Sequence, residues 1–344
     1  MSSEILFFVI LIVAIVVILI GCSVYLIYNR LQQSKTEKKV QNNITEFLPL
    51  CYQFFVEGNP TESLENIQNP HQIKAIETIL TKYIYLLSDQ DVINRIQQYA
   101  GNSLSEHYQK DLKSRRWGIR INALYKIIDF KIQSLAPYVL DLLNSSKKYS
   151  QKEYFEMYKV IALFMPAQLL SQLKNSTYKL SNIELYKVLA LLKEDTIKEI
   201  MQNFDALTRT QKIAVIDTIG SKNLLEYIEF LHNAIKDENA EIRLHAMKAI
   251  EKIGFVHPIE MYETFFYAED WRERMLFAKL LKYFPLDEII DYLKVLITDR
   301  SWWVRYHTVQ IIADQKNGQK VLEMLYNQTE DLYAKEIISA SLGA

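Results

Sequence analysis

The chain has 344 residues, 49% of them hydrophobic and 24% charged, with a formal net charge of −1. That balance excludes global disorder, and it excludes the broad basic footprint with which a protein neutralises a phosphate backbone. Only 8 Gly and 7 Pro are present, which suits long helices and not a turn-rich β fold, and the 2 cysteines draw no disulfide framework, as fits a reducing compartment.

The first predicted element is apolar from Ile5 to Ile27, interrupted only by Gly21, Cys22 and Ser23, and it carries no charge. Its 23 residues (27−5+1) at about 1.5 Å each reach roughly 34 Å, enough to cross a hydrocarbon core of about 30 Å. A transmembrane helix over residues 5–28 is therefore expected. Two rival readings fit the run less well. A cleaved signal peptide needs a basic start, whereas Met1-Ser-Ser-Glu4 is acidic. Leu19-Ile-Gly-Cys22 resembles a lipobox that would lipidate Cys22, but the apolar run continues through Val24-Tyr-Leu-Ile27. Before the run the side-chain charge is Glu4; after it come Arg30, Lys35, Lys38 and Lys39. Basic flanks stay in the cytoplasm. The expected topology is single-pass in the cell membrane, with residues 1–4 outside, a juxtamembrane linker over 29–45, and the C-terminal body cytoplasmic.

From residue 46 onward the pattern is helix after helix, without strand-like alternation. Glu46–Val56 is apolar and aromatic with Pro49 expected in its first turn, and Gly58-Asn59-Pro60 should stop it. Helices over His71–Leu87 and Asp91–Tyr99 follow, the latter ending at Gly101. Residues 46–110 read as a helical N-terminal cap, because they do not match the period of the later sequence.

That period is plain further on. Glu241–Ile250, Arg272–Leu281 and Trp303–Ile312 repeat one helical pattern, with arginines at 243, 274 and 305. Both intervals are 31 (274−243 and 305−274). A fixed period of two helices is the signature of an α-solenoid. Ser114–Ile127 restores the pattern earlier, with Arg120 standing 123 residues (243−120), close to four periods, before Arg243. Between them Tyr154–Phe164, Ile183–Leu192 and Gln211–Ile219 are expected as inner helices. Leu135–Leu143, Ala167–Leu173, Ile197–Phe204 and Leu224–Ile235 are the expected outer ones. Asp237-Glu-Asn-Ala-Glu-Ile-Arg243-Leu-His-Ala246 and Asp299-Arg-Ser-Trp-Trp-Val-Arg305 resemble the Asp-x-x-x-x-Val/Ile-Arg-x-x-Ala signature of HEAT and HEAT-like (PBS-lyase-type) repeats. The second copy departs from it, since Asp270 lies four residues before Arg274 instead of six, and the third has Thr308 where Ala is usual. The expected fold is all-α: an α-solenoid of HEAT-like helical hairpins over 111–344, preceded by a single transmembrane helix.

The carboxylates Asp237, Asp270 and Asp299 sit where helices should begin, so N-capping accounts for them. The resemblance implies that Asp and Arg form a ladder between adjacent units; a ligand-gripping row of Arg243, Arg274 and Arg305 is the alternative. Trp117, Trp271, Trp302 and Trp303 fall at helix starts, where tryptophan beside arginine has the composition of a binding hot spot. Packing is the favoured reading for Trp271 and for one of the adjacent pair. Trp302 and Trp303 should point about 100° apart, leaving at least one exposed. The candidate partner-binding residues are thus Arg115, Arg116, Trp117, Arg243, Arg274, Trp302, Trp303 and Arg305.

No catalytic or metal-binding residue and no cofactor is expected. The six histidines have no metal spacing, and Ser145-Ser-Lys-Lys148 and Ser171-Gln-Leu-Lys174 match Ser-x-x-Lys without its companion motifs. The favoured function is a membrane-anchored scaffold that binds a protein partner at the cytoplasmic face. Single-pass bacterial proteins of similar layout imply a glycosyltransferase of surface-polysaccharide synthesis, or another membrane enzyme, as that partner. The rival is a HEAT-like enzyme of the DNA-glycosylase or lyase type, though nucleic acid is disfavoured by charge. A basic trough with exposed Trp would favour nucleic acid; a mixed one favours protein.

Overall fold

A computed structural model describes the backbone of residues 3–60, 64, 67, 69–175, 178–256 and 258–343, with side chains except at 3–6, 8, 9, 174 and 175. Met1, Ser2, the Glu4 side chain, the Lys174 side chain and His257 lie outside the described residues. All described secondary structure is helical, and the fold is an all-α solenoid of stacked helix pairs with an apolar N-terminal helix. The chain forms two compact units, residues 1–160 and 161–344.

The first unit begins with α1, Ser3–Cys51. It runs about 74 Å at 1.5 Å per residue and includes the polar stretch 29–45. Its apolar part has a mean hydropathy of 3.2 over 18 residues, with none of that window buried, so α1 is long and apolar enough to cross a membrane. Cys22 is exposed within it. Pro49 lies inside α1, near its C-terminal end and not in a first turn. The helix continues as a π-turn, Tyr52–Val56, and stops as expected at Gly58, whose φ of 78° is left-handed. Arg95 secures that end by donating from Nε to the Phe55 carbonyl at 2.8 Å.

Helices α2 (Pro70–Leu86) and α3 (Gln90–Tyr99) cover α1's last turns, burying Cys51, Phe55, Ile76, Leu80 and Ile96. Burial pushes the Cys51 thiol up to about 12, so it behaves as an inert apolar group. Gly101 does not end a helix: it sits in a π-turn, Ala100–Leu104, leading into α4 (Ser105–Leu112). On α4 the buried Tyr108 hydroxyl donates to Glu77 Oε1 at 2.7 Å, and burial with that carboxylate raises its pKa. Helices α5 (Trp117–Asp129), α6 (Ala136–Asn144) and the start of α7 (Gln151–Phe164) complete the unit.

The second unit contains α8 (Pro166–Asn175), α9 (Asn182–Leu189), α10 (Glu194–Met201), α11 (Arg209–Ser221), α12 (Ile228–Ala234) and α13 (Ala240–Ile253). Beyond them lie α14 (Glu263–Phe266), α15 (Trp271–Leu280), α16 (Leu286–Leu296), α17 (Trp302–Asp314), α18 (Gly318–Gln328) and α19 (Leu332–Leu342). Each inner and outer helix expected between the clear repeats falls within a few residues of its place. The second helices of successive pairs, α11, α13, α15, α17 and α19, pack side by side. Gly220 on α11 permits a close approach to α13, since a Cβ there would lie 2.6 Å from Ala249 Cα. Gly254 ends α13 in the left-handed conformation, φ 76°.

Candidate partner-binding face

Each second helix that carries the repeated arginine starts in one way. The N-cap residue stands four positions before the arginine: Arg116 before Arg120, Asn239 before Arg243, Asp270 before Arg274 and Ser301 before Arg305. The guanidinium turns back over the cap to the carbonyls just ahead of it. Arg243 donates from Nη1 to the Asp237 and Glu238 carbonyls at 2.9 and 3.0 Å; Arg274 does so to Ala268 and Glu269 at 2.7 and 2.8 Å. Arg120 holds Ser114 and Arg115 likewise, and Arg305 holds Asp299. The other edge of each fork meets an acid at the start of the next second helix. Arg120 binds Glu153 at 2.6 Å, Arg243 binds Glu273 at 2.7 Å, Arg274 binds Asp299 at 2.6 Å, and Arg305 faces Asp331 at 3.8 Å.

This ladder explains the irregular second copy. Asp270 is itself the N-cap of α15, accepting from the Arg272 N–H, whereas Asp237 and Asp299 lie two residues upstream and accept from the N–H of Asn239 and Ser301. Asp237 and Asp299 are therefore not the N-caps that the sequence predicts; their carboxylates close the turn that presents the cap. Burial raises the Asp299 carboxyl, but Arg274 and the Ser301 N–H outweigh it and hold it below the ordinary range. Arg272 adds a rung, joining Asp270 at 2.7 Å to Glu241 at 2.9 Å. The guanidinium groups of Arg243, Arg274 and Arg305 are thus engaged within the array.

The aromatic residues lie outside the ladder, on the exposed face. Trp271, Trp302 and Tyr333 stand 31 residues apart (302−271 and 333−302) and are 38%, 52% and 67% exposed. Trp303 is 51% exposed, so neither member of the adjacent pair is buried. Trp302 stacks on Tyr306 at 5.0 Å and 13°, while Trp303 meets it edge-on at 4.9 Å and 84°. Between α17 and α19 these rings open a groove of about 480 Å³, lined by Trp302, Tyr306 and Gln310 on one side and by Tyr333, Glu336 and Ile337 on the other. Its volume and its few polar groups among rings suit a binding site. The Arg305 guanidinium lies 5.2 Å from the Tyr333 ring, so the ladder supports the groove wall.

Arg115, Arg116 and Trp117 form an exposed patch in the first unit, where the Trp117 indole donates to Ser150 Oγ at 2.9 Å. Of the residues singled out in the sequence, only Trp302 lines the α17–α19 groove. Tyr306, Tyr333 and Glu336 were missed, although continuing the 31-residue register from Trp302 would have reached Tyr333. Among the described residues no group of three or more His, Cys, Asp or Glu side chains is placed to hold a metal ion.

No protein-family model matches the chain, and no curated protein matches it. Two solved structures that it resembles are designed armadillo repeat proteins, one of them in complex with the peptide (KR)4. Each is 15% identical, with 77% of this chain and 97% of the designed chain covered, at a TM-score of 0.23. The helix order itself defines the fold.

Proposed function

We propose that this protein is a membrane-tethered scaffold whose α17–α19 face binds a segment of a partner protein. The observation that carries this reading is the groove itself, in which the exposed rings of Trp302 and Tyr333 and the half-buried ring of Tyr306 converge from two adjacent helices. Charge on the second helices is mixed, with the exposed Lys248 and the half-buried Lys279 against the exposed Glu336, which favours protein over nucleic acid. Helix α1 supplies the tether, and tethering raises the local concentration of the face for clients in the same membrane. By the basic flank the body lies on the cytoplasmic side. Residues 46–110 act as a cap and 111–344 as the recognition array, with a membrane enzyme such as a glycosyltransferase as client.

A photo-crosslinking residue at Ala340, in the groove, tests this in native membranes. One discrete adduct is expected, lost in a Trp302→Ala/Tyr333→Ala background whose melting temperature is unchanged. An adduct equally strong in that background, or equally strong from exposed Val295 on α16, would remove the groove from the account.

A further inference from the structure

The second helices of the second unit carry a further row at the 31-residue interval: Asp217, Lys248, Lys279, Gln310 and Ser341. Its electrostatic sign changes along the array. Asp217 is engaged by His245 Nδ1 at 2.6 Å. Lys248 and Lys279 follow on α13 and α15, and among the described residues neither is paired with a carboxylate. Gln310 and Ser341, bordering the aromatic groove, are neutral. Lys248 and Lys252 line a recess of about 230 Å³ together with His245, Asp217 and Tyr186, a volume that admits a carboxylate. Lys279 stands on α15 near His307, whose pKa is lowered by burial first and by the Lys279 charge second.

We propose that the partner segment is an acidic peptide with an apolar anchor, lying across the second helices with its anchor in the α17–α19 groove and its carboxylates over Lys248 and Lys279. This deepens the scaffold reading and rests on it. Charge complementarity selects the occupant: the exposed Lys248 and Lys252 on α13, which line the recess, and the half-buried Lys279 on α15 present ammonium groups along one face. Glu336, the one formally charged residue lining the groove, excludes an acid from the anchor end, which fixes the direction of the segment. Helices pack about 8–10 Å apart, so α13 and the groove are separated by roughly 20–25 Å, or roughly six to eight residues of extended chain.

The experiment uses the full chain in uncharged detergent and three fluorescent peptides of roughly twelve residues, the length set by that span. All carry a Leu-Phe anchor at one end; the far end is Glu-Glu-Glu, Gln-Gln-Gln or Lys-Lys-Lys. The acidic peptide is expected to bind at least about tenfold more tightly than the neutral one, with an advantage that shrinks as salt rises. Lys248→Glu/Lys279→Glu should abolish that advantage and leave the neutral peptide's affinity unchanged. Equal affinity for the acidic and neutral peptides, or preference for the basic one, overturns the acidic assignment while the groove stands. If no anchored peptide responds to Trp302→Ala/Tyr333→Ala, the groove reading has failed instead. A single-stranded oligonucleotide that competes through both the lysines and the tryptophan would also overturn the proposal in favour of a nucleic-acid face.

Discussion

Within the second unit, α9 and α11 have the same architecture as α13, α15 and α17 but are held by different chemistry. Four positions after the N-cap, the latter three helices carry Arg243, Arg274 and Arg305; α9 and α11 carry Leu185 and Lys212 there. Without the arginine, each start is closed locally. Ser181 with Glu184 and Thr208 with Gln211 form capping boxes, each satisfying its own first-turn N–H groups. Contact with the next helix is then made by shape, through Gly220 against Ala249, and by the Asp217–His245 bond. Where the ladder runs, the arginine ties the preceding turn to the next unit's acid. A helix start can be satisfied from within or from a neighbour, and only the second arrangement leaves a periodic letter in the sequence.

The largest effect is expected from Arg274→Ala. It strands Asp299, which is nearly buried beside it, and frees the Ala268 and Glu269 carbonyls. Breaking one side of such a pair costs about 3–5 kcal/mol, read as a fall in melting temperature. A loss below about 1 kcal/mol would show that the ladder is decoration.

Gly220→Ala probes the other region, where the added methyl group would meet Ala249 and force α11 and α13 apart. Overpacking of this kind costs about 1–3 kcal/mol, and Ala249→Gly in the same chain should recover part of it. Thr208→Ala, which opens the α11 capping box, should cost about 1 kcal/mol and leave ladder variants additive with it. A denaturant melt of the single and double variants measures this.

The smallest effect concerns pH. Arg272 and the Arg272 N–H hold Asp270 below its ordinary value of 3.8, and Asp299 is also depressed. A carboxyl lowered on folding contributes stability above its unfolded pKa and loses it as pH falls through the folded one. The stabilisation from these two acids should therefore be complete above about pH 5 and decline below it. Arg274→Met should flatten the Asp299 part of that decline, while Thr208→Ala should not alter it.

Much of the fold was legible because its cause is periodic. The 31-residue spacing of Arg243, Arg274 and Arg305 reflects one backbone turn built three times, and the apolar faces between them place the helices. The acids of the ladder were not legible as a set. Glu153, Glu273, Asp299 and Asp331 enter from different positions at the next helix start, 33, 30, 25 and 26 residues after their arginines (153−120, 273−243, 299−274, 331−305). Any carboxylate within reach of the fork serves, so selection of position is loose. The groove was half legible: Trp302 announced itself by type, while Tyr333 and Glu336 acquire meaning only beside α17.

The sequence alone determined that the chain is helical, that it repeats, and that its N-terminal helix is long and apolar enough to cross a bilayer, because these follow from residue type and spacing along one strand of chain. Tertiary structure decided which charges are engaged and which remain available. It placed the repeated arginines inside the array, where the fold consumes them, and left aromatic rings and lysines facing solvent. That partition depends on distances between helices some thirty residues apart, which no local pattern encodes.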